Sequence, residues 1–161
     1  MDVGRRNFFR SIVRHARESG SIPRSVPRPP TALEEKEFIQ ACTGCGECVS
    51  ACPTAIIIVK NQLAELNLEL SFCSHCHQCS DVCPTTALSH SESDCYVRPT
   101  ITSNCNPQTA FYCAECQHSC PVNAITVHKN KKPNIELELC NGCNSCQYHC
   151  PISAITTSIQ K

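Results

Sequence analysis

The stretch "CTGCGECVSACP", Cys42 to Pro53, sets four cysteines and a proline within twelve residues, and "CSHCHQCSDVCP" and "CNGCNSCQYHCP" return to the same pattern. Each reads C-x2-C-x2-C-x3-C-P. Three thiolates two residues apart can wrap three corners of one inorganic cube, whereas the fourth, followed by proline, lies too far along to reach the same cube and serves its neighbour. This is the bacterial [4Fe–4S] run. Applied here, it gives Cys42, Cys45, Cys48 and Cys83 to cluster I, and Cys73, Cys76, Cys79 and Cys52 to cluster II.

A third copy is altered. Cys113, Cys116 and Cys120 keep the spacing ahead of Pro121, but Ala110 holds the place of the first ligand. A cysteine must be borrowed. Cys105 in "CNPQTAFYC" is the choice, because Asn106 and Pro107 favour a turn that folds it back; Cys95 is the other contender. The 20 residues from Cys120 to Cys140 resemble the 21 from Cys52 to Cys73, so motifs three and four should pair as one and two do. Cluster III then takes Cys105, Cys113, Cys116 and Cys150, and cluster IV takes Cys140, Cys143, Cys146 and Cys120. Four clusters at four thiolates each use all but one of the 17 cysteines, leaving Cys95 spare. Zinc also accepts four thiolates, but its sites use two separated C-x2-C pairs rather than a triplet with a trailing Cys-Pro.

Composition points the same way. With no Trp and 5% aromatics in 161 residues, large side chains cannot supply an ordinary core, so something else must staple the chain. Disulfides call for a secretory signal peptide and usually an even cysteine count, and neither is found. The longest apolar run, Ala55 to Val59, is far below the roughly 20 residues of a membrane-spanning helix. The zero net charge suggests no nucleic-acid partner. No nucleotide-binding glycine fingerprint, phosphate loop or nucleophile–base pair is visible, which argues against a stand-alone catalyst.

Around the motifs the chain divides into four parts. Residues 1–18 form a basic arm, with Phe8, Phe9, Ile12, Val13 and Ala16 at helical spacing opposite Arg10, Arg14 and Arg17. Residues 5–17 are a candidate docking helix for a partner or an acidic membrane surface. Residues 19–31 read as a Pro-rich linker, because Pro23, Pro27, Pro29 and Pro30 favour an extended chain. Residues 32–92 and 93–161 are two tandem two-cluster domains of α+β class, short helical turns and short strands wrapped around paired clusters. Each of the joints "CPTAII", "CPTTAL", "CPVNAI" and "CPISAI" predicts a helical turn followed by a strand. "CPTAI" reads as one residue shorter than "CPTTAL". Gly44, Gly46 and Gly142 should let amides approach inorganic sulfur, and motif two, which lacks such glycines, should differ in potential. His75, His77, His118 and His149 read as exposed loop residues.

The paired motifs with their Cys-Pro-x-x-Ala-Ile joints resemble bacterial two-cluster ferredoxins over residues 38–161. "GRRNFFR" and the displaced first cysteine of motif three together resemble the ferredoxin-type accessory proteins of periplasmic nitrate reductase systems, the NapF type. That resemblance implies a cytoplasmic four-cluster protein working with the molybdenum-containing catalytic subunit of the reductase, in its maturation or through electron supply. A general electron carrier for another redox protein is the second reading. "GRRNFFR" also resembles a twin-arginine export signal, but Arg14, His15, Arg17 and Glu18 interrupt the apolar stretch such a signal needs, so export is not expected.

Overall fold

The computed structural model describes residues 22–105 and 113–160. The arm expected over residues 1–18 lies outside the described residues. In the first half, helix α1 (Glu35–Ala41) is followed by the short helix α2 (Glu47–Ala51) and a hairpin of β1 (Ile57–Lys60) with β2 (Leu63–Leu66). Acidic Glu35 and Glu37 in the first turn of α1 suit the positive end of its dipole. Phe38 on the same helix is fully buried among Ala32, Ala64, Ala87 and Leu88. Then come α3 (Gln78–Asp81) and a 3₁₀ turn (Thr86–Leu88).

The second half opens with β3 (Val97–Ile101) and continues through α4 (Glu115–His118), β4 (Ile125–Thr126), β5 (Asn134–Ile135) and α5 (Ser145–Tyr148) to β6 (Ile155–Ile159). Its first and last strands pair antiparallel, from Val97 against Ile159 to Ile101 against Ile155, while β4 and β5 form the inner hairpin. Small helices and two-stranded ribbons thus wrap two cores, as the α+β reading expects.

Three expectations change. First, the joint after motif two does not continue into a strand. The Thr85 hydroxyl accepts the Ala87 amide and winds "TAL" into the 3₁₀ turn. Leu33 N–H then bonds Ala87 O, and the Thr31 hydroxyl bonds Leu88 O. Second, the described part of the Pro-rich stretch packs as part of the fold. The carbonyls of Pro27, Pro29 and Pro30 accept the amides of Leu66, Ala32 and Asp94, and Pro29 is fully buried. Proline removes donors but leaves acceptors, and its stiffness lowers the entropy lost on ordering. Third, "CPTAII" is not a shortened joint. Ala55, Asn123 and Ser153 occupy one equivalent left-handed position, at φ 52, 53 and 49. Their amides bond the carbonyls of Cys52, Cys120 and Cys150. Ile56 simply stands where Ala124 and Ala154 stand.

The halves meet along one seam. Cys73 N–H donates to Cys143 O at 2.9 Å, Cys95 N–H to Asn141 O at 3.1 Å, and the Asn144 side-chain amide to Leu68 O at 2.8 Å. Phe72 packs against Tyr148 and His149.

The first ligand loop is held from above by the β1–β2 turn, whose Asn61 and Gln62 both take positive φ, as a two-residue hairpin loop requires. At Gly44, φ +67, a β-carbon would stand 2.7 Å from Gln62 O, whereas at Gly46 it would meet nothing within 4 Å. Gly44→Ala is therefore expected to cost about 1–3 kcal/mol through backbone strain, with the clash added. Gly46→Ala should cost less. Denaturant midpoints of the two anaerobically purified variants check the order, and equal losses would refute it.

Candidate metal centres

Motifs one, two and four build their cradles in the same way. A loop carries the first two thiols past left-handed residues, a short helix presents the third on its inner face, and the Cys-Pro joint turns the fourth toward the partner motif. In motif two the left-handed positions belong to His75 and His77, at φ 51 and 62, beside Gly44 and Gly46 at 67 and 85. The backbone path is therefore conserved without glycine, and the amide still reaches sulfur: His75 N–H lies 3.4 Å from Cys73 Sγ. In motif four the pair is Gly142 and Asn144.

The structure brings the sequence-predicted thiols together in four groups. One cavity is lined by Cys42, Cys45, Cys48 and Cys83, and another by Cys52, Cys73, Cys76 and Cys79. In the second half, one is lined by Cys120, Cys140, Cys143 and Cys146, and another by Cys105, Cys113, Cys116 and Cys150. Every trailing cysteine faces the cavity of the other motif in its half. Cys105 stands with Cys113 and Cys150, while Cys95, its contender, is fully buried at the seam.

Crowding raises the thiol pKa values. Burial, then the neighbouring Cys42, Cys45 and Cys83, pushes Cys48 up to about 11. Burial likewise lifts Cys79, Cys116 and Cys143 to about 11 and Cys146 to about 12, each with thiols of its own group adding to the effect. Without metal these groups hold their protons, and only a cationic partner can draw four thiolates into one such cavity, releasing protons as it binds. The donor set, all soft sulfur grouped by fours, fits iron–sulfur ligation.

The surroundings of the sulfurs differ between halves. In the first, the Thr54 hydroxyl lies 3.5 Å from Cys52 Sγ and the Thr85 hydroxyl 3.6 Å from Cys83 Sγ. In the second, the amides of Ala124 and Ala154 donate to Cys120 and Cys150 at 3.2 Å. The second thiol is exposed in the first three motifs (Cys45, Cys76, Cys113) but buried in motif four, where Cys143 lies under the first half.

Among the histidines, His118 and His149 are exposed as expected, but His75 and His77 are half-buried; His75 is the one that reaches a buried thiol. The His75 Nδ1 is 2.8 Å from the Ser93 hydroxyl and its Nε2 is 3.9 Å from Cys95 Sγ. Burial, then the neighbouring His77, lowers its pKa and favours the neutral ring. Sequence reasoning missed this, since nothing in "CSHCHQC" marks its histidines as partly covered. The Arg98–Asp94 ion pair, 2.6 Å long, was equally invisible. Gly142 packs against the same segment, where a β-carbon would stand 2.9 Å from Val97 O and 3.1 Å from Asp94 Oδ1.

Comparison with known proteins identifies the type of domain in each half. Models of the 4Fe-4S dicluster domain match residues 31–88 and 111–154. An uncharacterized protein of Haemophilus influenzae is 41% identical over 137 residues, 83% of this chain and 80% of its own length. The ferredoxin-type protein NapF of the same organism is 34% identical over 122 residues, covering 72% of this chain and 69% of its own. NapF of Escherichia coli K12 is 33% identical over 124 residues, with coverages of 72% and 74%.

Proposed function

This chain belongs to the ferredoxin-type proteins built on 4Fe–4S dicluster domains, and on that premise we propose that it is a cytoplasmic electron-transfer protein serving the molybdenum-containing catalytic subunit of periplasmic nitrate reductase, in its maturation or through electron supply. It carries four [4Fe–4S] clusters. In this proposal cluster I is held by Cys42, Cys45, Cys48 and Cys83, cluster II by Cys73, Cys76, Cys79 and Cys52, cluster III by Cys105, Cys113, Cys116 and Cys150, and cluster IV by Cys140, Cys143, Cys146 and Cys120. The observation that carries the reading is the set of four cavities, each lined by three thiols of one motif, or its borrowed equivalent, and a fourth from the partner motif.

When bound, each cluster supplies a one-electron couple somewhere between about −700 and +450 mV. The protein's own contribution is to tune and separate these couples. Hydroxyls of Thr54 and Thr85 and amides of Ala124 and Ala154 face ligand sulfur, where a donor stabilises the added negative charge of the reduced state. Exposed Cys45, Cys76 and Cys113 leave three centres an edge at which a partner's redox group can approach. Buried Cys143 makes the fourth an internal relay. Among the described residues no helix is long and apolar enough to cross a membrane. The support for the reductase as target is the family likeness together with the arginine-rich start of the chain.

The test is anaerobic purification of the tagged chain from nitrate-grown cells, with iron, sulfide and co-purifying proteins measured. About sixteen iron and sixteen sulfide per chain are expected on four cubes of four. The molybdenum subunit should be recovered, and should be incompletely active in a strain lacking this gene. A deletion strain with fully active, fully metallated reductase would overturn the target while leaving the electron-transfer class intact.

A further inference from the structure

The seventeenth cysteine has no place in the ligand set, yet Cys95 is fully buried at the seam of the two halves. Its amide is tied to Asn141 O in the loop between Cys140 and Cys143, and its sulfur faces Cys73 of the first half. The Sγ atoms of Cys73 and Cys95 and a nitrogen of His75 all lie within 4.8 Å of one another. Cys73 is in turn bound through its own amide to Cys143 O, at 2.9 Å. Cys73 lines the second cavity and Cys143 the fourth, so this one bond bridges the two, with Cys95 packed beside it.

A buried apolar setting keeps a thiol protonated unless a metal claims it. Protonated Cys95 is a donor, and a ligating Cys73 thiolate is the strongest acceptor within its reach. Among the described residues the hydrogen-bond partner found for its sulfur is His75, whose neutral Nε2 at 3.9 Å is a weaker acceptor than a thiolate. The hydroxyls of Thr54 and Thr85 meet trailing cysteines, whereas Cys95 meets the leading cysteine of cluster II, on the side that faces the other half of the molecule.

We propose that Cys95 is a positioning residue that donates an S–H···S hydrogen bond to the Cys73 thiolate, raising the reduction potential of cluster II and setting the step by which electrons cross between the halves. The inference rests on the reading that Cys73 ligates cluster II. In the crossing, one electron leaves one cube and enters the other; no bond breaks, and the Cys95 proton stays on sulfur. Because reduction puts negative charge on the thiolate that accepts the bond, the donor favours the reduced form. Exposed Cys45 and Cys113 would hold groups that a partner could reach, while Cys73 and Cys143, bonded to each other at the seam, would hold the pair that supplies the crossing between the halves.

Redox titration of anaerobic holoprotein followed by electron paramagnetic resonance tests this. Cys95→Ala should keep the full iron content and lower the midpoint of one cluster only, by about tenfold in the reduction equilibrium, which is about 59 mV for one electron. Cys95→Ser, which restores a donor, should recover most of that shift. Full iron with no shift in either variant overturns the proposal and leaves the ligand reading standing. Loss of about four iron in Cys95→Ala makes Cys95 a ligand and overturns both. A measurement on the unaltered protein guards against a variant that fails to fold. The infrared spectrum should contain one S–H stretching band, and it should move to lower frequency when cluster II is reduced; a missing or unmoved band refutes the hydrogen bond.

Discussion

Cys83→Ala is expected to strip the iron from the motif that begins at Cys42, although Cys83 itself belongs to the motif that begins at Cys73. Its side chain lines the cavity with Cys42, Cys45 and Cys48, and its charge is among those that raise Cys48. Loss of one of four thiolates from a shared cavity leaves an open iron corner, so iron per chain should fall from about sixteen toward about twelve. The assignment of the lost cluster can be read chemically. Cys45 and Cys76 are both exposed, and a ligated thiolate resists alkylation. Brief anaerobic treatment with iodoacetamide followed by mass spectrometry should mark Cys45 in Cys83→Ala and leave Cys76 unmodified. Cys52→Ala should give the mirror result. Alkylation of Cys76 in Cys83→Ala would mean that each motif serves its own cube, and the crossed scheme would fall.

Why the thiol grouping was legible, and much of the rest was not, follows from the range over which each feature acts. Cysteine spacing is local: the reach of a loop of two residues and of a helical turn decides which sulfurs can face one cavity, so Cys42 through Cys52 could be read in isolation. The pairing of motif three with motif four could also be read, because the Cys120 to Cys140 interval nearly equals the Cys52 to Cys73 interval. The strand after motif two failed because its partner lies over fifty residues upstream, where Thr31 and Leu33 take up the bonds a strand neighbour would have used. Residues 22–31 looked like a linker because proline content reports missing donors and says nothing of carbonyls that find partners. Cys95 looked spare because counting ligands cannot reveal burial.

The second large effect is expected where that supposed linker grips the fold. Arg28 is 4% exposed, with Nε and Nη2 on the Glu35 carboxylate at 3.2 and 2.6 Å, Nη1 on Ala64 O at 2.9 Å, and its guanidinium over the Phe38 ring. Glu35 is 3% exposed and has Arg24 Nε at 3.8 Å as a weaker second cation. Arg28→Ala leaves a buried carboxylate with one distant partner and Ala64 O with none, a change that costs about 3–5 kcal/mol. The loss should reach the metal centre, because Glu35 opens α1 and Cys42 caps its far end, its amide bonded to Phe38 O. Loosened there, the helix no longer fixes the first thiol of cluster I. In anaerobic urea titration of the holoprotein, the cluster absorbance of Arg28→Ala should disappear at a much lower midpoint. Alkylation should reach Cys45 before Cys113 as denaturant rises. Replacing both charges, Arg28→Met with Glu35→Leu, removes the uncompensated carboxylate and should recover much of the loss. A change below about 1 kcal/mol in the single variant, the size of an exposed ion pair, would show that the arginine does not anchor this half of the fold.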